Sequence, residues 1–327
     1  MARQIIKNLS DVASLLTVSP SPAWRTQRTA QDTIQAMLLS LVPVFLLGII
    51  HFGLGTIRVT ALSAGVALAT WLVCEKITKR THPLGGHYAV LTGVLFAFLL
   101  PASAPWWLTS VGAACSIILG SVVFGGIGSN PLCAPLVGWA ICKISWPDFM
   151  DIDLSMLDTT LSSPLSQIKY TGLPVAGDIS FWGLFLGEQL GGLGAVQIIA
   201  VLGAGIFLLV RGYIRLFAPL AFLAGVAGAS LVYWLIDSSY PGPVFHLLAG
   251  HVLFAAFFLV TDWGSSPVGK LPLVLFGLIA GVLVIVIRTY GAYPDGVAFA
   301  VLLANLLTPL LDTLRPKSLP VGAGRKA

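Results

Sequence analysis

Apolar residues run along this chain in blocks at about 34–54, 57–75, 87–100, 106–124, 131–146, 195–210, 216–236, 246–261, 271–288 and 297–312, separated by turn-forming or charged residues. About 20 apolar residues at 1.5 Å each span a hydrocarbon layer of roughly 30 Å, so the pattern predicts an all-α polytopic membrane protein with about ten transmembrane helices. Segments three, five, eight and ten are short, at corresponding places in the two halves, and short or interrupted segments in matching positions point to a polar site between halves. The halves also share sequence. GHYAVLTGVLFAFLLP (86–101) and FHLLAGHVLFAAFFLV (245–260) both contain Leu-x-Gly followed by VLFA. Five segments separate the two, so related units would lie upside down to one another, as two inverted five-helix repeats at about 34–146 and 195–312.

Charge fixes an orientation for this plan. With the N-terminus inside, one face receives the basic residues of the N-terminal segment 1–33, then Lys76, Lys79, Arg80, Arg211, Arg215, Lys270 and the basic residues of the tail 313–327, fourteen of the 18 Lys and Arg. The other face receives Asp148, Asp151, Asp153, Asp158, Asp178, Glu188, Asp237 and Asp295. An excess of Lys and Arg marks the cytoplasmic side, so both termini are expected in the cytoplasm. The first thirty residues carry Arg3, Lys7, Arg25 and Arg28 and lack an uninterrupted apolar core, so no secretory signal is expected.

Composition agrees with this picture and removes other classes. Of 327 residues, 57% are hydrophobic and 9% charged, with a mean hydropathy of +0.92, whereas soluble domains are about a quarter charged. The net charge of +5 is dispersed over short loops and tails, which argues against a nucleic-acid partner. Cys74, Cys115, Cys133 and Cys142 form no CxxC pair and lie in or beside apolar segments, so they read as buried thiols and no metal site is expected within the chain.

Three stretches carry candidate chemistry. At 122–146, VVFGGIGSNPLCAPLVGWAICKISW, Gly125, Gly126 and Gly128 free the backbone, Asn130 offers a local hydrogen bond, and Pro131 and Pro135 remove donors. Unpaired backbone groups are costly in hydrocarbon, so such a knot survives at depth only where protein or a polar site satisfies it; equally, it suits a cytoplasmic turn between ordinary spans. The second knot, at 290–296, has the same glycine and proline character. The polar stretch 147–194 forms an external loop with the hydroxyl cluster LDTTLSSPLSQIKYTG, and connections this long are usually functional. Asp262, ending segment eight before Ser265-Ser266-Pro267, reads either as a ligand for a cation or flavin or as a headgroup-level residue. Lys143 and Arg288, near helix ends, read as snorkelling side chains.

VFGGIGSNPLCAPLVGWA, TGVLFAFLLPASAPWW, TDWGSSPVGK (261–270) and RTYGAYPDGVAFAVLLANLLTPLLD (288–312) together resemble the D subunit of the Rnf ion-translocating ferredoxin:NAD oxidoreductase complex. The B subunit of the sodium-pumping NADH:quinone oxidoreductase is a more distant relative with a longer N-terminal region. The resemblance implies a flavin-carrying subunit of a translocase that couples ferredoxin/NAD electron transfer to sodium or proton movement. It also implies other membrane and peripheral subunits as partners, FMN esterified to a Ser or Thr of the external loop, and riboflavin as a second flavin. The family pattern D-x-x-S/T-G-A-T-P-L meets Asp158-Thr-Thr-Leu-Ser-Ser163-Pro-Leu here, with the Asp one residue nearer and Leu161-Ser162 in place of Gly-Ala. The Pro-Leu register places Ser163 at the acceptor position, with Thr160 as the alternative.

Two other functions share the architecture. Ten spans in inverted repeats also build channels for small neutral solutes, but an ammonia-type pore would place a histidine in each of two related segments, and segments five and ten contain none. A haem protein needs histidines facing across helices, and His246 and His251 stand about 140° apart round a helix with no obvious opposing pair.

Overall fold

The computed structural model describes residues 29–79, 82–151, 163–171, 181–187, 191–237 and 240–314. The described residues form helices joined by turns. In chain order these are α1 (Ala30–Phe52), α2 (Leu54–Thr78), α3 (Gly85–Phe98), α4 (Trp106–Ile118), α5 (Ala134–Ser145), α6 (Pro164–Thr171), α7 (Phe181–Leu186), α8 (Leu193–Val196), α9 (Ile198–Val210), α10 (Phe217–Ile236), α11 (Pro243–Leu248), α12 (Val252–Phe254), α13 (Lys270–Tyr290) and α14 (Val297–Asp312). α12 runs directly into a π-helical turn, Ala255–Leu259.

Among the described residues, five helical stretches are long and apolar enough to cross a membrane: Ala30–Phe52, Leu54–Thr78, Trp106–Phe124, Phe217–Ile236 and Lys270–Tyr290. The shorter apolar helices α3, α5, α9 and α14 lie between or beside them. The protein is a multi-pass membrane protein. Large apolar side chains at Ile50, Ile77, Val210 and Ile236 stand largely exposed on the outer surfaces of the long helices and their neighbours, as an apolar surrounding requires. α1 begins four residues ahead of the hydrophobic pattern because Thr29 and Asp32 form a reciprocal cap: Asp32 N–H donates to Thr29 Oγ1 at 3.2 Å and Thr29 N–H to Asp32 Oδ2 at 2.8 Å.

Helices approach closely where side chains are small. α10 and α13 make the most extensive helix pair. A methyl group added at Gly281 would lie 2.3 Å from Phe222 O, and one at Gly225 2.6 Å from Leu278 O. α2 and α3 meet in the same way, with Ser63 Oγ donating to Gly93 O at 2.6 Å. In lipid, close packing of small residues and interhelical hydrogen bonds replace the hydrophobic drive that would hold such helices together in water. Aromatic side chains fill the middle of the bundle. Phe98, Phe254 and Phe258 are buried, and Phe254 stacks on Phe258 with centroids 5.3 Å apart.

Both knots lie where the glycine and proline pattern places them. After α4, a 3-10 turn (Val122–Phe124) leads into Gly125, Gly126 and Gly128 at φ of +109°, +100° and +81°, conformations that residues with a Cβ rarely adopt. Pro135 then opens the short α5, within its first turn. The second knot joins α13 to α14 and ends at Gly296, φ +63°. Segment eight is broken too: α11 ends at Ala249, and Gly250 (φ +73°) separates it from α12.

Candidate functional site: a cleft at one end of the bundle and a polar tie at the first knot

The end of α5, the start of α6, the 191–195 turn, the α11–α12 break and the second knot enclose a cleft of about 780 Å³, part of it open to solvent. Its walls include Trp139 and Lys143 from α5, Ser163 at the start of α6, His251, and Tyr293 and Asp295 from the second knot. Tyr293 stacks on Phe299 at 4.7 Å between centroids, and Trp139 meets the same ring edge-on at 5.3 Å. Trp139 Nε1 donates to Leu99 O at 3.2 Å, which anchors the indole. Lys143 Nζ donates to Met150 O at 3.3 Å and lies 5.9 Å above the Tyr293 ring. It is thus engaged with the cleft wall and does not simply snorkel.

Arg288 departs further from expectation. It is 6% exposed and binds around the second knot: Nη2 donates to Asp295 Oδ1 and to Ala249 O, each at 2.9 Å, Nη1 to His246 O and Nε to Asp295 O, both at 3.0 Å. A guanidinium has five donors in a fixed fork, so one side chain closes the turn between α13 and α14 onto the break in segment eight. Asp295 Oδ2 in turn lies 2.5 Å from His251 Nδ1. His251 therefore does have a partner, a carboxylate rather than a second histidine. The cue was in the sequence: Arg288 and Asp295 are ionisable residues in apolar surroundings on either side of a Gly-Ala-Tyr-Pro turn. Lys169, on α6, donates to Arg288 O and Gly291 O, and burial pulls its ammonium below the usual lysine range.

Ser163 lines the cleft and is 8% exposed. It caps α6, its Oγ accepting from Ser166 N–H at 3.3 Å. It is not the openly exposed loop hydroxyl that easy access for a modifying enzyme would call for. Thr160, Thr159 and Ser162 lie outside the described residues.

The structure brings Asn130 and Asp262 together away from this cleft. Asn130 Nδ2 donates to Leu132 O at 2.9 Å and to Asp262 Oδ2 at 3.2 Å, and Ser265 Oγ donates to the same oxygen at 2.8 Å. Thr308 Oγ1 of α14 donates to Ser265 O at 2.8 Å, which adds a third element. Asn130 Oδ1 is buried without a hydrogen-bond partner and packs against Gly264, where a Cβ would lie 2.2 Å from it. Asp262 is therefore built into a polar tie between the two halves of the chain. The arrangement offers a carboxyl oxygen and a buried amide oxygen to a cation or to a hydrogen-bond donor.

Residues 17–319 match the model of the NQR2, RnfD, RnfE family. The chain is 33% identical over 303 residues to the D subunit of the Na(+)-translocating ferredoxin:NAD(+) oxidoreductase complex of Acetobacterium woodii, covering 91% of this chain and 92% of the relative. It is 34% identical over 317 residues to the D subunit of the ion-translocating oxidoreductase complex of Pseudomonas aeruginosa, covering 89% and 92%. It is 32% identical over 338 residues to the protein of the same name from Cronobacter sakazakii, covering 90% and 96%. With matches spanning nearly its whole length, this chain belongs to the NQR2, RnfD, RnfE family.

Proposed function

We propose that this chain is the flavin-carrying membrane subunit of an ion-translocating electron transport complex, working with other membrane and peripheral subunits in the bacterial inner membrane. It would couple ferredoxin/NAD electron transfer to sodium or proton movement. The relatives' names support membership of an ion-translocating oxidoreductase complex. The observation that carries the flavin reading is the cleft between α5 and the second knot. Aromatic faces at Trp139 and Tyr293 stand beside a hydroxyl at Ser163 and a cation at Lys143. FMN bound there would supply one- and two-electron chemistry that no side chain of this chain provides. Ser163 would hold its phosphate as an ester, Lys143 would offset the phosphate charge, and Trp139 and Tyr293 would flank the ring. Thr160 remains the alternative acceptor. A second cavity, lined in part by Thr261, Trp263 and Ser266, chain neighbours of Asp262, would take a further flavin such as riboflavin. Asn130 and Asp262 would bind the translocated cation or orient that flavin.

The same proposal includes the plan of two inverted five-helix repeats, about 34–146 and 195–312, joined by the external segment 147–194, with lipid around them and both termini cytoplasmic. Helices meet across the two halves, α1 with α9 and α5 with α14. Within each half the second and fourth members pack together, α2 with α4 and α10 with α13. The knots follow suit: the first precedes α5, and the second lies by the far end of α5, where Lys143 and Tyr293 share the cleft. A channel for small neutral solutes is disfavoured, because the buried phenylalanines Phe98, Phe254 and Phe258 occupy the middle of the bundle.

The visible absorption spectrum of the purified subunit, before and after denaturation, separates bound, released and covalent flavin. An FMN-sized adduct on the 158–169 peptide that is lost in Ser163→Ala is the expected result. An adduct that persists moves the site to Thr160 or its neighbours, and a protein without flavin from cells with an active flavin transferase ends the reading.

A further inference from the structure

The turn between α9 and α10 meets the start of α13 on the face of the bundle where basic residues gather. α9 ends on Gly212 in the left-handed region (φ +68°), with Tyr213 N–H donating to Leu208 O and Gly212 N–H to Leu209 O, each at 2.9 Å. That closure turns the chain directly into α10 and leaves Arg211 and Arg215 on one short turn. Arg215 Nη1 donates to Val268 O at 2.7 Å, which ties the turn to the residues ahead of α13. Lys270 Nζ lies 5.9 Å from the centre of the Phe217 ring, and the Arg211 guanidinium 5.8 Å from that of Phe207. Three exposed cations from two separate stretches of chain therefore share one edge. The ion pairs among the described residues are those of Asp295 with His251 and Arg288, so none of the three is paired with a carboxylate there. Asp312 stands beside the edge and accepts from Val268 N–H at 3.2 Å, one negative charge against three positive. α13 has 21 residues, about 30 Å at 1.5 Å each, the thickness of a hydrocarbon layer. Lys270 is its first residue and Arg215 stands just ahead of α10, so the cations lie at headgroup level. Beside them the apolar side chains of Val210, Phe217 and Leu271 are exposed.

We propose that Arg211, Arg215 and Lys270 bind the phosphate of an anionic phospholipid, whose acyl chains lie along the exposed apolar side chains at the ends of α9, α10 and α13. Charge calls for an anion, since Lys and Arg gathered where membrane helices end attract anionic headgroups. Arg215 commits Nη1 to Val268 O, and a guanidinium has further N–H donors for a two-pronged grip on phosphate. The apolar neighbours call for a lipid. A free phosphate or an acidic segment of a soluble protein would leave Val210, Phe217 and Leu271 uncovered, whereas a phospholipid sets its phosphate against the cations and its chains against those residues. Arg215 also borders the cavity at Thr261 and Trp263, but Arg211 and Lys270 do not line it, so the edge is a site of its own. A phospholipid held there braces the contact between the α9–α10 turn and α13 that Arg215 makes through Val268.

Native mass spectrometry of the full-length chain in detergent, with phosphatidylglycerol or phosphatidylethanolamine added, reads the binding directly. The unsubstituted chain is expected to retain phosphatidylglycerol about tenfold more tightly or better, since each cation near an anionic headgroup contributes about fivefold. Arg215→Gln/Lys270→Gln is expected to lose that preference, and the charge-preserving Arg215→Lys/Lys270→Arg to keep most of it. Lys76→Gln/Lys79→Gln, which removes two charges elsewhere on the same face, is expected to keep it in full. Equal retention of the two lipids by the unsubstituted chain overturns the proposal, whether or not the variants fold. An equal loss in Lys76→Gln/Lys79→Gln overturns it too, because binding would then follow total charge. Inorganic phosphate that displaces phosphatidylglycerol at matching concentration makes the edge a site for a free anion and not for a lipid. In the assembled complex, a photoreactive residue in place of Leu271 is expected to cross-link phospholipid, and a cross-link to an acidic segment of another subunit in its place assigns the edge to a protein partner and overturns the lipid.

Discussion

Asn130 and Asp262 stand 132 positions apart in the chain, yet Asn130 Nδ2 donates to Asp262 Oδ2 at 3.2 Å, so the first knot of one half is tied to the end of segment eight in the other. A buried polar group left without its hydrogen-bond partner costs about 1–3 kcal/mol. Asn130→Ala is expected to lower ion-coupled turnover about tenfold or more, and Asp262→Asn to do the same with the amount of folded protein in the membrane unchanged. Turnover of membrane vesicles with electron donor, with and without an ionophore, checks this. Wild-type coupling in both variants would reduce the tie to a structural contact.

Gly264 supports that tie by lacking a side chain. In Gly264→Ala the new methyl group would begin 2.2 Å from Asn130 Oδ1, so Asn130 or the 262–266 turn has to move. Overpacking of this kind costs about 1–3 kcal/mol, and a lower midpoint in thermal unfolding of the detergent-solubilised protein is expected. Gly65→Ala is the control. Nothing lies within 4 Å of a Cβ at Gly65, in the interior of α2, so that variant is expected to match or slightly exceed the parent.

Arg288 closes the second knot, so its removal leaves Asp295 in a protein interior with one fewer counter-charge. Breaking one side of a buried pair costs about 3–5 kcal/mol. Arg288→Met is expected to lower the amount of folded protein in the membrane severalfold. Arg288→Lys restores the charge but not the fork that reaches His246, Ala249 and Asp295 together, so it is expected to recover only part of the loss. Full recovery with lysine would show that charge alone matters there.

The topology makes a prediction independent of the chemistry. A reporter active only in the cytoplasm is expected to work when fused at Lys79, and one active only outside when fused at Lys169, because the basic residues gather on the side of Lys79. The reverse pattern would invert the assignment of faces.

The order of residues alone carries the one-dimensional plan of this protein. Hydrophobic blocks place the helices to within a few residues because an apolar run has few alternatives to a helix in hydrocarbon. Glycine and proline mark both knots, since the conformations at Gly125, Gly126 and Gly128 and the missing donor at Pro135 are local properties of the chain. The motifs at 92–107, 123–140, 261–270 and 288–312 also carry the family resemblance. Which polar groups meet is settled by packing. Arg288 reads as a snorkelling side chain in sequence because its position in α13 is near a helix end, and only the fold turns it inward onto Asp295 and the broken segment eight. His251 shows no partner by helical spacing because its partner is a carboxylate 44 residues away. Ser163 belongs to a loop in sequence, but packing of α6 against the second knot carries it into a cleft wall. Such pairings depend on the relative placement of helices, which rests on small residues at crossings such as Gly225 with Leu278 and Gly281 with Phe222. A hydrophobicity pattern is blind to those crossings, because it records how apolar a residue is and not which neighbour its backbone can approach.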